Sequence, residues 1–483
     1  MSLTKKTFGG FLWLGGVKAS NAIFQFAILA ILARLLTPTE FGLMGLALLV
    51  TSFADIFNDM GFGPAITQKK DLTKTDIYTG FTYSLIFGVI LFLLLQIFAP
   101  LIASFFKNDE LTGILRVISI VLLLKSAITT PMGLMYRDMQ FKKLSLIEIA
   151  SYVLGYGGVG IMLAYLGFGV WSLVIAVLAR SLLSFLLYLF MSKSSLGFSL
   201  NNKSFKELIH FGGGYSLSKI FSYGANQGDK IVVGRILGVD ALGLYERGFQ
   251  LVKYASNLLG EIIDKVLFSP IARKQDNRKL IGEIYLELTY ILTLLFFPFS
   301  AFMYSYAKPI VRVILGTQWD SSIPIVQIMS FSIFFLITTR IGSTIAKSLG
   351  DVYRRAWRTL IYGVYVIIAV YVGSSWGVEG AAIAVSIGTA INYLLAYVQV
   401  QDLTNVKHLT FFKNHVLGLL LGVMYIVGNY LTKNFLIGII DNPLLDILFG
   451  IGLLVLVYFI ALLLDNKKLF KKYNNIIFKK KYE

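Results

Sequence analysis

Ala33-Arg34-Leu35-Leu36 through Phe41-Gly42-Leu43 returns 201 positions later as Gly234-Arg235-Ile236-Leu237 through Leu242-Gly243-Leu244. Three further echoes follow in the same order. Phe62-Gly63-Pro64 pairs with Phe268-Ser269-Pro270, and Ile77-Tyr78 with Thr82-Tyr83 pairs with Ile284-Tyr285 and Thr289-Tyr290. Ile128-Thr129-Thr130 and Gly133 then pair with Ile337-Thr338-Thr339 and Gly342. The interval drifts only from 201 to 209, as small insertions would produce, so the chain carries an internal duplication.

The duplicated material is apolar. Of 483 residues 56% are hydrophobic and 14% charged, with a mean hydropathy of +0.73, whereas a soluble domain carries about 25% charge. A helix needs about 20 apolar residues to cross the hydrocarbon core. Fourteen runs qualify: 11–33, 41–63, 79–105, 111–131, 144–165, 169–191, 208–234, 241–267, 284–305, 323–346, 357–375, 378–400, 412–431 and 444–464. The divisions at 166–168 and 376–377 are the shortest. The expected fold is an all-α membrane protein of about fourteen transmembrane helices. Its parts are a six-helix lobe at 1–200, a second at 201–402, two extra helices at 403–466 and a basic tail at 467–483.

Lys and Arg set the orientation. With the N-terminus in the cytoplasm, and with Arg358 and Lys413 at span starts counted in the adjoining gaps, 28 of the 44 basic residues fall in the tails and cytoplasmic gaps, six in the opposite gaps and ten within the spans. Cytoplasmic loops carry the excess of Lys and Arg, so both termini are expected in the cytoplasm and the number of spans is even. Both repeats then begin on the same side and are related by an axis along the membrane normal, an arrangement found in transporters that bind substrate between their halves. In a soluble protein a net charge of +18 would suggest nucleic acid; here topology accounts for it and no nucleic-acid partner is expected. There is no cysteine, hence no disulfide and no thiolate metal site. No cleavable signal peptide is expected, because the run after Lys5 and Lys6 is too long for one. The loops are too short to hold a soluble active site, which argues against an enzyme.

The stretches Ala33-Arg34-Leu35-Leu36-Thr37-Pro38-Thr39-Glu40-Phe41-Gly42, Asp59-Met60-Gly61-Phe62-Gly63-Pro64-Ala65-Ile66 and Gly167-Phe168-Gly169-Val170-Trp171-Ser172-Leu173 resemble polysaccharide exporters of the Wzx type. The resemblance is strongest to the branch with colanic acid and teichuronic acid exporters, within the multidrug/oligosaccharidyl-lipid/polysaccharide superfamily. It covers the whole chain. It implies a bacterial inner-membrane flippase that moves undecaprenyl-pyrophosphate-linked oligosaccharide outward by alternating access, for surface polysaccharides such as lipopolysaccharide or exopolysaccharide. The implied partners are that glycan lipid, membrane lipids and polysaccharide polymerase machinery, with the protein a monomer. No cofactor is implied beyond coupling to an H+ or Na+ gradient.

A charge at the bilayer centre costs at least about 2.5–3.5 kcal/mol, so the ten basic residues within the spans need an explanation. Lys18 and Lys219 are repeat mates at the interval of 201. Lys18, Asn21 and Gln25 share one helix face, as do Lys219, Tyr223, Asn226 and Lys230. If the two faces meet across a cleft they make a cationic cavity suited to a diphosphate; otherwise the lysines snorkel to the headgroups. Asp229, adjacent to Lys230, is a candidate to neutralise it. Arg247, Gln250, Tyr254, Asn257, Glu261 and Asp264 or Lys265 recur at near-helical spacing and read as another cavity wall, with Glu261 and Asp264 open to a gate role. Arg340 is a further candidate for the cleft, while Arg116 and Arg180 read as near span ends or locally paired. Asp55, Asp59 and Glu148 are candidates for ion coupling, since burial raises a carboxyl pKa and lets it carry a proton.

Gly155-x-Gly157-Gly158-x-Gly160 matches a dinucleotide-binding pattern but lies inside an apolar span, where close helix packing is the expectation. Gly418-x-x-x-Gly422 reads the same way. His210, His408 and His415 lack metal-ligand spacing, the first and third being expected at the interface. Two rivals stay open: a multidrug or small-metabolite exporter of the same superfamily, whose sites depend on acidic residues, and a membrane polymerase or ligase, which needs a large external loop.

Overall fold

The computed structural model describes residues 22–59, 61–192, 197–435 and 442–464, with backbone alone at 59, 210–218, 221, 255, 257–270, 273 and 434–435. The basic tail at 467–483 lies outside the described residues. Among the described residues every regular element is a helix and nine stretches are long and apolar enough to cross a membrane. The protein is thus an all-α multi-pass membrane protein.

The chain gathers into two compact units, Met1–Glu246 with Thr359–Ala381 and Arg247–Arg358 with Ala382–Glu483. The first begins with α1 (Ala22–Leu35), α2 (Pro38–Asp59), α3 (Phe62–Gln68) and α4 (Lys74–Phe106). It continues through α5 (Glu110–Ile118), α6 (Ile120–Arg137), α7 (Phe141–Ala150), a π-helical segment (Ser151–Gly158), α8 (Val159–Tyr165) and α9 (Val170–Ser192). It also holds α10 (Asn202–Ile236), the start of α11 (Val239–Arg273) and most of α16 (Val352–Gly373).

Local chemistry sets the boundaries. Thr73 and Asp76 form a capping box at the start of α4: Asp76 N–H donates to Thr73 Oγ1 (3.2 Å) and Thr73 N–H to Asp76 Oδ2 (2.9 Å), satisfying donors that a helix start leaves free. Asn201 caps α10 in the same manner, accepting from the backbone N–H of Ser204 at 3.0 Å. The two short divisions are turns: Gly167 and Gly169 have φ of 80° and 55°, and Gly377 has φ of 74°, a region glycine enters without a Cβ penalty. Gly377 thereby divides the apolar stretch Val352–Thr404 into α16 and α17 (Gly377–Thr404). α10 and α11, at 35 residues each, reach about 52 Å and carry the charged stripes. With them the order of elements agrees with fourteen spans.

The second unit holds the rest of α11, then α12 (Arg278–Ser305), α13 (Ala307–Ile314), α14 (Ile323–Ser330), α15 (Ser332–Ser348), α17, α18 (His408–Phe435) and α19 (Pro443–Leu464). The α14–α15 span bends by 46° at Phe331. Its counterpart in the first repeat breaks at Ser119 between α5 and α6, where Gln96 Nε2 donates to Arg116 O and Ser119 Oγ, both at 2.9 Å. Gly418 packs α18 onto α12; a Cβ there would stand 2.5 Å from Thr293 O. Buried Arg358 ties α16 to α15 and α17, donating to Ser343 Oγ (2.6 Å) and Gln399 Oε1 (3.0 Å). His415, expected at the interface, is instead held among Phe334, Tyr393 and Phe411. Its Nδ1 lies 2.8 Å from Phe411 O. A carbonyl can only accept, so Nδ1 carries the proton and Nε2 accepts from Tyr393 O–H at 2.7 Å.

Candidate functional site: a polar cavity in the first unit

Within the first unit, α2, α6, α7, the π-helical segment, α9 and α10 line an open cavity of about 800 Å³. In spans this apolar its wall is unusually polar. Lys125, Arg180, Lys219, Asp55 and Glu148 line it, together with Tyr136, Tyr188 and Tyr223 and several Ser, Thr, Asn and Gln side chains.

Each helix contributes a stripe at helical spacing. Lys125, Thr129, Met132 and Tyr136 come from α6, Arg180, Ser184 and Tyr188 from α9, and Lys219, Tyr223 and Asn226 from α10. Lys125 Nζ lies 2.7 Å from Asp55 Oδ2, and both side chains are about a third or more exposed. A wet pair of this kind is worth about 0–1 kcal/mol, so it orients the two groups more than it holds helices together. The Arg180 guanidinium lies 5.0 Å from the centre of the Tyr152 ring, within cation–π range. Its helix is admitted by Gly155, where a Cβ would stand 2.6 Å from Arg180 Cα. The glycine-rich stretch is therefore a packing surface, and the approach it permits sets Arg180 in the cavity wall rather than near a span end.

The expected site residues divide as follows. Lys219, Tyr223, Asn226, Asp55 and Glu148 come together on this cavity. Lys230, expected on the same stripe, turns to α11: its Nζ lies 2.6 Å from Glu246 Oε1, with both side chains about 15% exposed. Asp229 is not its partner, because consecutive helical residues do not face each other; Asp229 accepts from Tyr245 O–H at 2.8 Å. Gln25 is half-buried on α1 and is not part of the cavity wall. In the second unit Arg247 donates to Gln250, whose Nε2 reaches Tyr254 Oη at 3.0 Å, so the first three members of that expected wall are linked. Arg340 stands half-buried on α15. Lys18 and Asn21 lie outside the described residues, as do the side chains of Asp59, Asn257, Glu261, Asp264 and Lys265.

Of the other cations of the wall, Lys125 is given no role from sequence and Arg180 reads as near a span end or locally paired. The signal was present in the polar residues four apart along α9, Arg180, Ser184 and Tyr188.

Comparison with known proteins agrees with this architecture. The sequence profile described as "Polysaccharide biosynthesis protein" matches residues 31–324. The chain is 29% identical to the teichuronic acid biosynthesis protein TuaB of Bacillus subtilis (strain 168), over 82% of this chain and 84% of that protein. Among solved structures, the lipid II flippase MurJ in an inward closed conformation superposes with a TM-score of 0.78 at 14% identity, covering 95% of this chain and all of that one. An inward-facing multidrug resistance MATE transporter of the MOP superfamily gives 0.63 at 16%, covering 80% of this chain and 96% of that one. At such identities the structures speak to the fold, while the profile covers more than half of the sequence. The chain belongs to the polysaccharide biosynthesis protein family.

Proposed function

We propose that the protein is a flippase of the bacterial cytoplasmic membrane, with both termini in the cytoplasm. It carries an undecaprenyl-pyrophosphate-linked oligosaccharide to the outer face by alternating access, for surface polysaccharide synthesis. The observation that carries this reading is the polar cavity with Lys125, Arg180 and Lys219 in its wall. A diphosphate cannot cross hydrocarbon without fixed cations to replace its water, and an isolated buried charge costs several kcal/mol or more. Arg180 and Lys219, with Lys18 as repeat mate of the latter, are assigned to the diphosphate. The tyrosines, Asn226 and the hydroxyls of the wall are assigned to the glycan, whose many O–H groups need partners once out of water.

Lys230, Arg247 and Arg340 are kept as later contacts along the path. Asp55 and Glu148 are the candidates for coupling to H+ or Na+, with Asp59, Glu261 and Asp264 as further carboxylates of a gate. The lobes of the duplication, 1–200 and 201–402, would be the moving halves, and 403–466 an addition to them. The protein works as a monomer, translocates rather than transforms its substrate, and hands it to polymerase machinery at the outer face.

The test is the leaflet distribution of undecaprenyl-linked glycan in cells lacking this protein and any redundant flippase. Accumulation on the cytoplasmic leaflet, reversed by the wild type and not by Arg180→Ala/Lys219→Ala, supports the reading. Normal externalisation without the protein rejects it in favour of a small-molecule exporter.

A further inference from the structure

A second pocket of about 810 Å³ lies in the first unit between α2, α4 and α10. Its character is opposite to that of the polar cavity. Leu49, Val50, Phe53, Leu101, Phe105 and Ile231 supply apolar wall, and among the described residues the only charged group lining it is Arg235. Tyr223 lines both spaces. Its hydroxyl donates to Leu49 O at 2.6 Å and its ring leans on Phe53 with centroids 5.5 Å apart, so a hydrogen-bonded ring belongs to the walls of both. Leu101 and Phe105 on the rim are 66% and 49% exposed, which opens the pocket sideways from an apolar helix.

Arg235 gives the pocket its polarity. The guanidinium lies 5.2 Å from the centre of the Phe105 ring, and its Nη1 is shut from solvent with no hydrogen-bond partner among the described residues. A buried donor left open is costly, and an anion is its natural complement. An apolar pocket of ligand size with one guanidinium in its wall fits an amphiphile that carries a phosphate. Lys219 and Arg235 are 16 residues apart on α10, about 24 Å at 1.5 Å per residue. One helix thus carries a cation at each end of most of the ~30 Å hydrocarbon core.

Resting on the flippase reading above, we propose that this pocket is the second station of the transported lipid. The isoprenoid units nearest the diphosphate lie between α2, α4 and α10, the diphosphate rests on Arg235, and the rest of the chain leaves past Leu101 and Phe105 into the bilayer. Tyr223 is the door between the stations.

The experiment uses the full chain in phosphatidylethanolamine–phosphatidylglycerol vesicles and an undecaprenyl diphosphate bearing a diazirine on the units next to the diphosphate. Photolabel is mapped by mass spectrometry. Label on Leu101, Phe105 or Ile231, displaced by excess undecaprenyl diphosphate but not by added phosphatidylglycerol, supports the site. Loss of one charge-assisted pair predicts roughly tenfold weaker labelling for Arg235→Gln. Arg235→Lys retains the label, as does Arg34→Gln at the repeat-equivalent position, with matched thermal unfolding throughout. Label elsewhere, equal displacement by phosphatidylglycerol (a site for bulk lipid), or indifference to Arg235→Gln overturns the proposal. The leaflet assay separates this from the parent reading: glycan lipid that accumulates on deletion while the pocket stays unlabelled removes the station alone. Normal externalisation on deletion removes the flippase and, with it, the station as part of a transport path.

Discussion

Thr39 donates its hydroxyl hydrogen to Asp240 Oδ1, and the two residues are 201 positions apart, the interval of the internal repeat. A residue and its own repeat mate therefore meet directly. The neighbours obey the same reciprocity. Gly42 faces Val239, and Gly243, its mate, faces Pro38, the mate of Val239. The contact thus joins the first turns of α2 and α11, at one end of both helices.

If the two repeats part at this end during transport, holding them together stops it. The chain has no cysteine, so Thr39→Cys/Asp240→Cys gives a clean pair. Oxidation is expected to form one intramolecular disulfide and abolish complementation of a deletion strain, and reduction to restore it. Full activity of the cross-linked protein would mean that this end never opens.

At Gly42 and Gly243 a side chain meets backbone, 2.8 Å from Val239 C and 2.8 Å from Pro38 C respectively, so no rotamer relieves the clash. Gly42→Val and Gly243→Val are each expected to destabilise the protein by about 1–3 kcal/mol, read as a lower unfolding temperature in detergent. Unequal effects would weaken the claim that the two contacts are equivalent.

Much of this arrangement is legible in the sequence, and the rest fails for identifiable reasons. Lys219, Tyr223 and Asn226 share a face because helical period alone fixes it, and the divisions at Gly167 and Gly377 follow from residues that accept positive φ. Arg180 reads as near a span end or locally paired because nothing in its own helix reveals that Gly155 lets another helix within reach. Lys125 and Asp55 stand 70 positions apart, and no local pattern announces their pairing. Lys230 has an acidic neighbour in sequence and a different one in space. Adjacency along the chain misleads on a helix, where neighbours diverge by about 100°.

Between α3 and α4, Lys69 bridges Asp76 and Glu207, its Nζ 2.8 Å from a carboxylate oxygen of each. Partial burial pulls its pKa down, but hydrogen bonds and charge from the two carboxylates outweigh this and leave it raised above 10.5. A raised folded pKa means the contribution to stability is complete below about 10.5 and is lost only as pH rises through the folded value. Lys69→Gln is therefore expected to lower the unfolding temperature by the same small amount at pH 7 and pH 9. A deficit that shrinks between those values would place the Lys69 pKa below its ordinary range.

The pair formed by Lys230 and Glu246 is a stronger case, because both side chains are about 15% exposed inside an apolar bundle. Gly45 makes room for it: a Cβ there would stand 2.5 Å from Glu246 Oε2. Removing one partner leaves a buried charge uncompensated, which costs about 3–5 kcal/mol, whereas replacing both by apolar residues of similar volume is often neutral. Glu246→Gln is thus expected to cut the yield of folded protein sharply, and Lys230→Met/Glu246→Met to recover most of it. The double variant then separates structure from transport. If it folds and still externalises glycan lipid, the pair only joins α10 to α11. If it folds and fails, Lys230 acts on the substrate path after exchanging Glu246 for the diphosphate. Wild-type stability in Glu246→Gln alone would show that the ammonium finds another partner, and the buried pair would lose its standing as a determinant of this part of the fold.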